Sequence, residues 1–174
     1  VRVADAMGQP LPPGTQGEIW LRGVTVMSGY WRDAQATAAA MQADEGWFRT
    51  GDVGYLDDEG FLFIVDRIKD VINRCGEKIA AAEVESCLLQ LPDVLEAAVF
   101  AVPDEDTGEA VVAVVSVREG CGLDAQALQA HVGAHLAAYK VPASIHVLTE
   151  ALPRNPAGKL LKAQLRSTFV AARD

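Results

Sequence analysis

The sequence predicts an α+β fold, in which a β-rich subdomain precedes a small mixed-sheet domain with flanking helices. Two observations predict it. Up to about residue 66, short runs of alternating apolar and polar residues are separated by turn-forming residues, as in strands. From about residue 70, segments with apolar residues three or four positions apart alternate with β-branched runs, which is typical of helices and buried strands in one compact domain. We therefore predict two domains, residues 1–67 and residues 68–174.

The elements of the first part follow from its turn residues. Two alternating runs, VRVAD and EIWLRG, flank the turn-rich GQPLPPGTQG. The Ala-rich DAQATAAAMQ then predicts a short helix, with Asp33 as N-cap because its carboxylate can accept hydrogen bonds from the exposed N–H groups of the first turn. Residues 46–65, GWFRTGDVGYLDDEGFLFIV, predict a hairpin, since two apolar runs flank the turn sequence DDEG.

The second part predicts the order helix, strand, strand, helix, strand, helix. The first helix, AAAEVESCLLQLP, has apolar residues at helical spacing and is closed by Pro92. EAAVFAVP and AVVAVVSV are β-branched runs typical of buried strands. Asp124 begins the next helix, DAQALQAHVGAHL, and SIHVL follows as a short strand. Leu161, Leu165 and Phe169 lie four apart and indicate a last helix in KAQLRSTFVAA.

The composition limits the functional classes. Half of the 174 residues are hydrophobic, which is enough for a core at this size. The formal net charge of -9 argues against nucleic acid as the main partner, because phosphate binding needs a basic surface. No apolar run reaches the ~20 residues of a membrane-spanning helix. These features favour a cytoplasmic protein and leave its oligomeric state open.

The cysteines and histidines predict no metal site. Cys75, Cys87 and Cys121 lack CxxC spacing, so neither a disulfide framework nor a zinc site is expected, and Cys87 falls in a helical apolar pattern that indicates a core position. His131 and His135 are four apart on one predicted helix, a spacing that metal ligands use. Because the sequence suggests no third ligand, we expect a surface histidine pair.

Three polar clusters have no evident structural purpose. The first, RTGD at residues 49–52, could turn an aspartate towards paired hydroxyls, although these four residues alone favour a simple turn. The second, DRIKDVINRCGEKI at residues 66–79, offers Arg67 as a planar fork for ribose or phosphate oxygens, and a strand with a solvated face is an equal interpretation. The third, LPRNPAGKLLK at residues 152–162, exposes Lys159 before a helix, either as a surface lysine or as a cation delivered to developing negative charge.

In this order and spacing the clusters resemble the C-terminal portion of the adenylate-forming superfamily. The superfamily includes acyl-CoA and aryl-CoA synthetases, adenylation domains of peptide synthetases and beetle luciferases. The segments that carry the resemblance span nearly the whole chain: GEIWLRG, GYWRDAQATAAAM, GWFRTGD, DRIKD..N..GEKI...EVE, PDEDTGEAVVAVV, YKVP and LPRNPAGK. Each segment alone is a weak signal, whereas seven in series are very specific.

The resemblance implies roles at matched positions around the nucleotide. Asp52 and Thr50 of the TGD element would bind ATP, with the Asp52 carboxylate on the ribose hydroxyls. Arg67 would assist at the same sugar. Lys69 would lie at the hinge between the end of the large adenylation domain and the small mobile C-terminal domain.

The resemblance also implies one residue for each half-reaction. Lys159 would join the substrate carboxylate and the α-phosphate during adenylation. Gly76 and its loop would line the channel for the pantetheine arm of CoA. Cys75 stands where the family usually has glycine, so a side chain at this position could narrow that channel.

The implied activity is that of an AMP-forming acid–CoA ligase, which activates a carboxylic acid, fatty or aromatic, as an acyl-adenylate and transfers it to CoA. The implied cofactors are ATP, Mg²⁺ with ligands upstream of this sequence, and CoA. Because the superfamily's phosphate loop and acyl pocket precede the matched region, we expect a fragment that is inactive alone. The alternatives are an adenylation enzyme that loads a carrier-protein thiol and a catalytically degenerate nucleotide-binding module.

Overall fold

A computed structural model describes residues 1–42 and 46–170 and shows two compact units, Val1–Lys69 and Asp70–Asp174. Each unit has its own sheet. A 3₁₀ turn at Ile68–Asp70 follows the last strand of the first unit. Within the described residues, no helix combines the length and the apolar character that a membrane crossing requires.

The first unit is an antiparallel sheet with one helix. Its elements are β1 (Arg2–Ala4), β2 (Gly17–Leu21), α1 (Ala34–Ala40), β3 (Met41–Gln42), β4 (Trp47–Leu56) and β5 (Leu62–Arg67). Strands β2, β3 and β5 all pair with β4, and β1 pairs with β2. The long strand β4 therefore organises the unit and carries the TGD element.

Two local predictions for this unit are confirmed. Strands β4 and β5 form the predicted hairpin, and the Asp57 carboxylate closes its turn by accepting hydrogen bonds from the amides of Glu59 and Phe61 at 3.0 and 2.8 Å. Asp33 caps α1, since its carboxylate accepts a hydrogen bond from the Ala36 amide at 2.8 Å. Both features depend on side chains bonding to backbone only a few residues away.

The predicted helix DAQATAAAMQ is shorter than expected. It ends at Ala40, and Met41 and Gln42 form β3, which pairs with Phe48 and Trp47 of β4. Met41 has an extended backbone, with φ −110° and ψ 126°. The edge of β4 offers these two residues backbone hydrogen bonds, which a prediction from helix propensity alone does not take into account.

The second unit is a three-stranded mixed sheet with three helices and a separate hairpin. Its elements are β6 (Val71–Arg74), β7 (Glu77–Ala80), α2 (Ala81–Leu88), β8 (Val94–Asp104), β9 (Gly108–Val117), α3 (Ala125–His135), β10 (Ser144–Leu148) and α4 (Lys162–Val170). The central strand β9 pairs antiparallel with β8 and parallel with β10. This is the predicted α+β fold with a small mixed sheet and flanking helices.

The central strand β9 explains the continuous β-branched run in the sequence. Val111, Val115 and their alternate neighbours pack into one apolar cluster with residues of α2 and α3. Val112 and Val114 face the other way, into a second cluster that includes Leu165 of α4. Because both faces of the sheet are covered, β9 is apolar from Ala110 to Val117 except at Ser116.

Two features of the second unit differ from the predictions. The order helix, strand, strand, helix, strand, helix is found, but the hairpin β6–β7 precedes it. Its four-residue strands bury Ile72 and Ile79 and expose charged residues, so no long apolar run reveals them. Helix α2 ends at Leu88, four residues before Pro92. Part of the last predicted helix, residues 171–172, lies outside the described residues.

Candidate active-site elements

Asp52 and Arg67 lie side by side in the first unit. They are directly opposed across the β4–β5 pair, and the Arg67 Nε atom is 3.0 Å from the Asp52 Oδ1 atom. The two side chains remain 26% and 48% exposed, respectively, so a ligand can reach both of them. A charge-assisted bond of this kind orients the carboxylate while leaving its second oxygen and the other guanidinium nitrogens for a ligand.

Thr50 holds the backbone of the same element. Its hydroxyl donates to the Ile19 carbonyl at 2.8 Å and accepts from the Asp52 amide at 3.0 Å. Between them, Gly51 has φ +72°, in the left-handed region that glycine adopts without strain. The strand therefore turns locally, and the Thr50 hydroxyl fixes where the Asp52 carboxylate emerges.

Glu18 is an anchor for this element that the sequence analysis did not single out. It is buried in β2, where its Oε2 atom accepts from Trp20 Nε1 at 3.0 Å and from Arg49 Nε at 2.9 Å. Its Oε1 atom accepts from the Gly51 amide at 3.3 Å. A buried carboxylate is tolerated only when such partners compensate for the lost water. The one local signal that could have identified Glu18 in the sequence is an acidic residue two positions before a tryptophan in a short strand.

Gly76 forms the tip of the β6–β7 hairpin together with Cys75. Their φ angles are +51° at Cys75 and +89° at Gly76, as in a two-residue type I′ turn. Apart from its two neighbours in the chain, no described residue has a heavy atom within 4 Å of the position that a Cβ atom would take at Gly76. The Cys75 amide donates to the Thr107 carbonyl at 2.9 Å, so the turn between β8 and β9 supports the hairpin tip.

Lys159 is exposed on a tight loop before α4, and its backbone is fixed. Its amide donates to the Asn155 Oδ1 atom at 2.8 Å, and its carbonyl accepts from the Asn155 amide at 2.9 Å. Gly158 adopts φ +80°, which closes the turn. The loop thus presents a flexible cationic side chain from a rigid base.

An ion pair between Glu96 and Arg154 braces this loop, and the sequence analysis did not identify it. Arg154 Nε lies 2.9 Å from Glu96 Oε1, and Arg154 also donates to the Gly158 carbonyl at 2.6 Å. The Leu152 amide donates to the other oxygen of Glu96 at 2.7 Å. Burial raises the pKa of Glu96, but the Leu152 hydrogen bond and the Arg154 pair outweigh it, so the net pKa lies below the usual value.

The two candidate loops of the second unit are supported at opposite ends of β8. The Lys159 loop is braced at Glu96, near the start of the strand. The Gly76 hairpin is supported through Thr107, whose hydroxyl donates to Asp104 at the end of β8. Eight residue steps separate Glu96 from Asp104, or about 26 Å at about 3.3 Å per residue. The structure therefore does not bring these two sites together within the unit.

Lys69, the predicted hinge residue, is exposed in the 3₁₀ turn Ile68–Asp70. It is the last residue of the first compact unit. Its role as a hinge stays a prediction.

Comparison with known proteins gives one consistent result. The family model for the AMP-binding enzyme C-terminal domain matches residues 83–159. The 2-succinylbenzoate–CoA ligase of Geobacillus kaustophilus is 46% identical over 159 residues, covering 91% of this chain and 32% of that protein. A feruloyl-CoA synthase of Amycolatopsis is 44% identical over 169 residues, covering 97% of this chain and 34% of that protein.

A solved structure shows the same arrangement of elements. ATP-bound MatB from Rhodopseudomonas palustris superposes with a TM-score of 0.89 at 37% identity, covering 97% of this chain and 33% of that one. The chain thus spans about a third of the length of the relatives it matches.

Proposed function

The chain belongs to the adenylate-forming superfamily and corresponds to its C-terminal portion, and from this we propose that it serves an AMP-forming acid–CoA ligase. The enzyme activates a carboxylic acid with ATP and passes the acyl group to the thiol of CoA. The observation that carries the proposal is the placement of the Lys159 loop and the Gly76 hairpin at opposite ends of β8. Two sites so far apart on one small unit suit two successive reactions.

The Asp52–Arg67 pair suits the sugar of the nucleotide. A carboxylate can accept hydrogen bonds from two neighbouring hydroxyls, and the ion pair with Arg67 holds the Asp52 carboxylate in one orientation. Thr50 acts through the backbone of Asp52. We therefore propose ribose binding by Asp52 and Arg67, with Thr50 as a positioning residue.

The first half-reaction joins two anions, and Lys159 suits it. A carboxylate oxygen of the substrate attacks the α-phosphorus of ATP, the bond from that phosphorus to the bridging oxygen breaks, and pyrophosphate leaves with the electron pair. An ammonium group placed between the reacting anions lowers their repulsion as the new bond forms. The fixed backbone of Lys159 restricts where this charge can be delivered.

The second half-reaction consumes the acyl-adenylate, and the Gly76 hairpin suits it. The CoA sulfur attacks the acyl carbon, the bond to the AMP oxygen breaks, and the thiol proton is released to solvent. A channel for the slender pantetheine arm needs a wall without bulky side chains, and Gly76 has open space around it. We propose that this hairpin tip lines the channel.

The Mg²⁺ that accompanies ATP finds no fitting donor set around Asp52. Glu18 already accepts from Arg49, Trp20 and Gly51, and the Asp52 oxygen that the Arg67 pair leaves open is the one proposed here for the ribose. We therefore derive no step through the metal and propose that its protein ligands lie outside this sequence. The free thiols of all three cysteines support a reducing, cytoplasmic setting.

The test is ATP–pyrophosphate exchange catalysed by the full-length protein, screened over short-chain, long-chain and aromatic acids. Exchange that depends on one class of acid supports adenylation and identifies the substrate class. Adding CoA or a carrier protein then shows which thiol accepts the acyl group. If the folded protein gives no exchange with any acid, the proposal fails and a nucleotide-binding module without catalysis takes its place.

A further inference from the structure

We propose that Cys87, His131 and His135 form a zinc-binding site that ties helix α2 to helix α3. One candidate ligand atom from each residue, the Cys87 sulfur and a nitrogen of each imidazole, lies within 4.8 Å of the other two. Cysteine sulfur and histidine nitrogen are the ligands that Zn²⁺ prefers. This site is separate from the nucleotide, lysine and CoA elements of the proposed enzyme.

The hydrogen bonds of both imidazoles leave one nitrogen of each ring available for a metal. His131 Nε2 lies 3.0 Å from the Cys87 carbonyl, and His135 Nδ1 lies 2.8 Å from the His131 carbonyl. Because a carbonyl oxygen only accepts, the neutral form of each ring carries its proton on this nitrogen and its lone pair on the opposite nitrogen. Metal-binding histidines are usually oriented by this kind of backbone contact.

The three residues are held by packed helices rather than by loops. His131 and His135 lie one turn apart on α3, and their ring centroids are 4.3 Å apart. Cys87 lies at the end of α2, buried among Leu88, Val132 and other residues of the larger apolar cluster. Rigid supporting elements hold ligands near their binding geometry before the metal arrives.

The spacing is close to what zinc requires. In a tetrahedral site with bonds of about 2.0–2.3 Å, ligand atoms lie roughly 3.5 Å from one another. The three candidate atoms lie within 4.8 Å of one another, so they would move closer together by up to about 1.3 Å on binding one ion. On binding, Zn²⁺ displaces the proton of the Cys87 thiol to solvent and forms the sulfur–zinc bond. His135 is exposed, so water can occupy the fourth position.

The test uses the full chain, reduced and freed of metal with EDTA, in excess Mg²⁺. Zn²⁺ is titrated against a competing chromophoric chelator, and Co²⁺ serves as a spectroscopic substitute. We expect one Zn²⁺ per chain and, with Co²⁺, a sulfur-to-metal charge-transfer band. Loss of a residue that hydrogen-bonds a metal ligand costs about 10–100-fold in affinity, so loss of a ligand itself, in Cys87→Ser or His135→Ala, should weaken Zn²⁺ binding by at least about 100-fold.

The matched controls are Cys75→Ser and His146→Gln, which remove a thiol and an imidazole elsewhere in the second unit and should keep wild-type affinity. Circular dichroism checks folding, and the exposed His135 provides a test even if Cys87→Ser does not fold. The proposal is overturned by no binding, by binding that survives His135→Ala, or by a Co²⁺ spectrum without the charge-transfer band.

Discussion

The Lys159 loop and the Gly76 hairpin belong to the same unit but are held in different ways. The Lys159 loop depends on an ion pair between residues distant in sequence, because Arg154 links Glu96 to the loop carbonyl. The Gly76 hairpin depends on backbone conformation, with two successive positive φ angles and a hydrogen bond to the Thr107 carbonyl. Substitutions that change charge should therefore affect the Lys159 loop, and substitutions that change backbone freedom should affect the Gly76 hairpin.

The largest effect should come from Lys159→Ala. Removing a preorganised charge at a reacting centre typically costs ~10²–10³ in rate, so ATP–pyrophosphate exchange should fall by that factor in the full-length protein. Thioester formation from supplied acyl-adenylate and CoA should be largely retained. Acetylation of Lys159 should reproduce the loss, because it removes the same charge.

Lys162→Ala is the matched control for this charge. Lys162 lies three residues further along the chain and pairs with Glu85 at 2.7 Å, so its removal should spare exchange. Equal loss of both half-reactions in Lys159→Ala would contradict the assignment of one loop to each step.

Gly76→Val should give the opposite pattern. Its φ of +89° is strained for any side chain, at roughly 1–2 kcal/mol, and valine would also project into the proposed channel. We expect CoA-dependent thioester formation to fall about tenfold or more while exchange is retained. Gly120→Val is the control, since Gly120 has φ +76° and equally open surroundings. If thioester formation fell equally in Gly76→Val and Gly120→Val, backbone strain alone would explain the loss.

Glu96→Gln should loosen only the Lys159 loop. Hydrogen bonds to charged groups contribute about 1.5–3 kcal/mol, so exchange should fall about tenfold with little change in thioester formation. Glu119→Gln, which neutralises an exposed glutamate in the loop after β9, should leave both half-reactions unchanged. If Glu96→Gln keeps full exchange activity, the ion pair does not position the loop.

The lowered pKa of Glu96 also predicts how unfolding depends on pH. A carboxyl whose folded-state pKa is depressed stabilises the fold fully above its unfolded value of ~4.3 and loses that contribution as pH falls through the folded value. The difference in unfolding free energy between wild type and Glu96→Gln should therefore be constant from neutral pH to about pH 5 and shrink below it. Denaturant unfolding across this range measures it, and a constant difference down to pH 2 would contradict the cause given for the shift.

The smallest effect should come from Cys75→Gly. Cys75 has φ +51°, and glycine adopts this region without strain, so the free energy of unfolding should rise by about 0.5–1 kcal/mol. Cys75→Ala is the control, because it removes the thiol but keeps the Cβ atom that causes the strain. Urea unfolding measures the stability of both variants. If Cys75→Ala stabilised the protein as much as Cys75→Gly, the strain would come from the thiol and not from a Cβ atom at positive φ.

The local features of the fold could be predicted from the sequence because their causes are local. The β4–β5 turn depends on Asp57 and its neighbours, the start of α1 on Asp33, and the start of α3 on Asp124, whose carboxylate accepts from the Ala127 amide at 2.8 Å. The apolar run of β9 already indicated a strand buried on both faces. The hairpin β6–β7 escaped prediction because its strands are short and half of their residues are polar.

The sequence alone also determined the family, since the order and spacing of seven short segments do not depend on knowing the fold. Tertiary structure decided which side chains support the candidate site residues. Glu96 meets Arg154 across 58 residues, Glu18 meets Arg49 across 31, and His131 meets the Cys87 carbonyl across 44. Such contacts depend on the path of the chain through the sheet and helices, which no local spacing records.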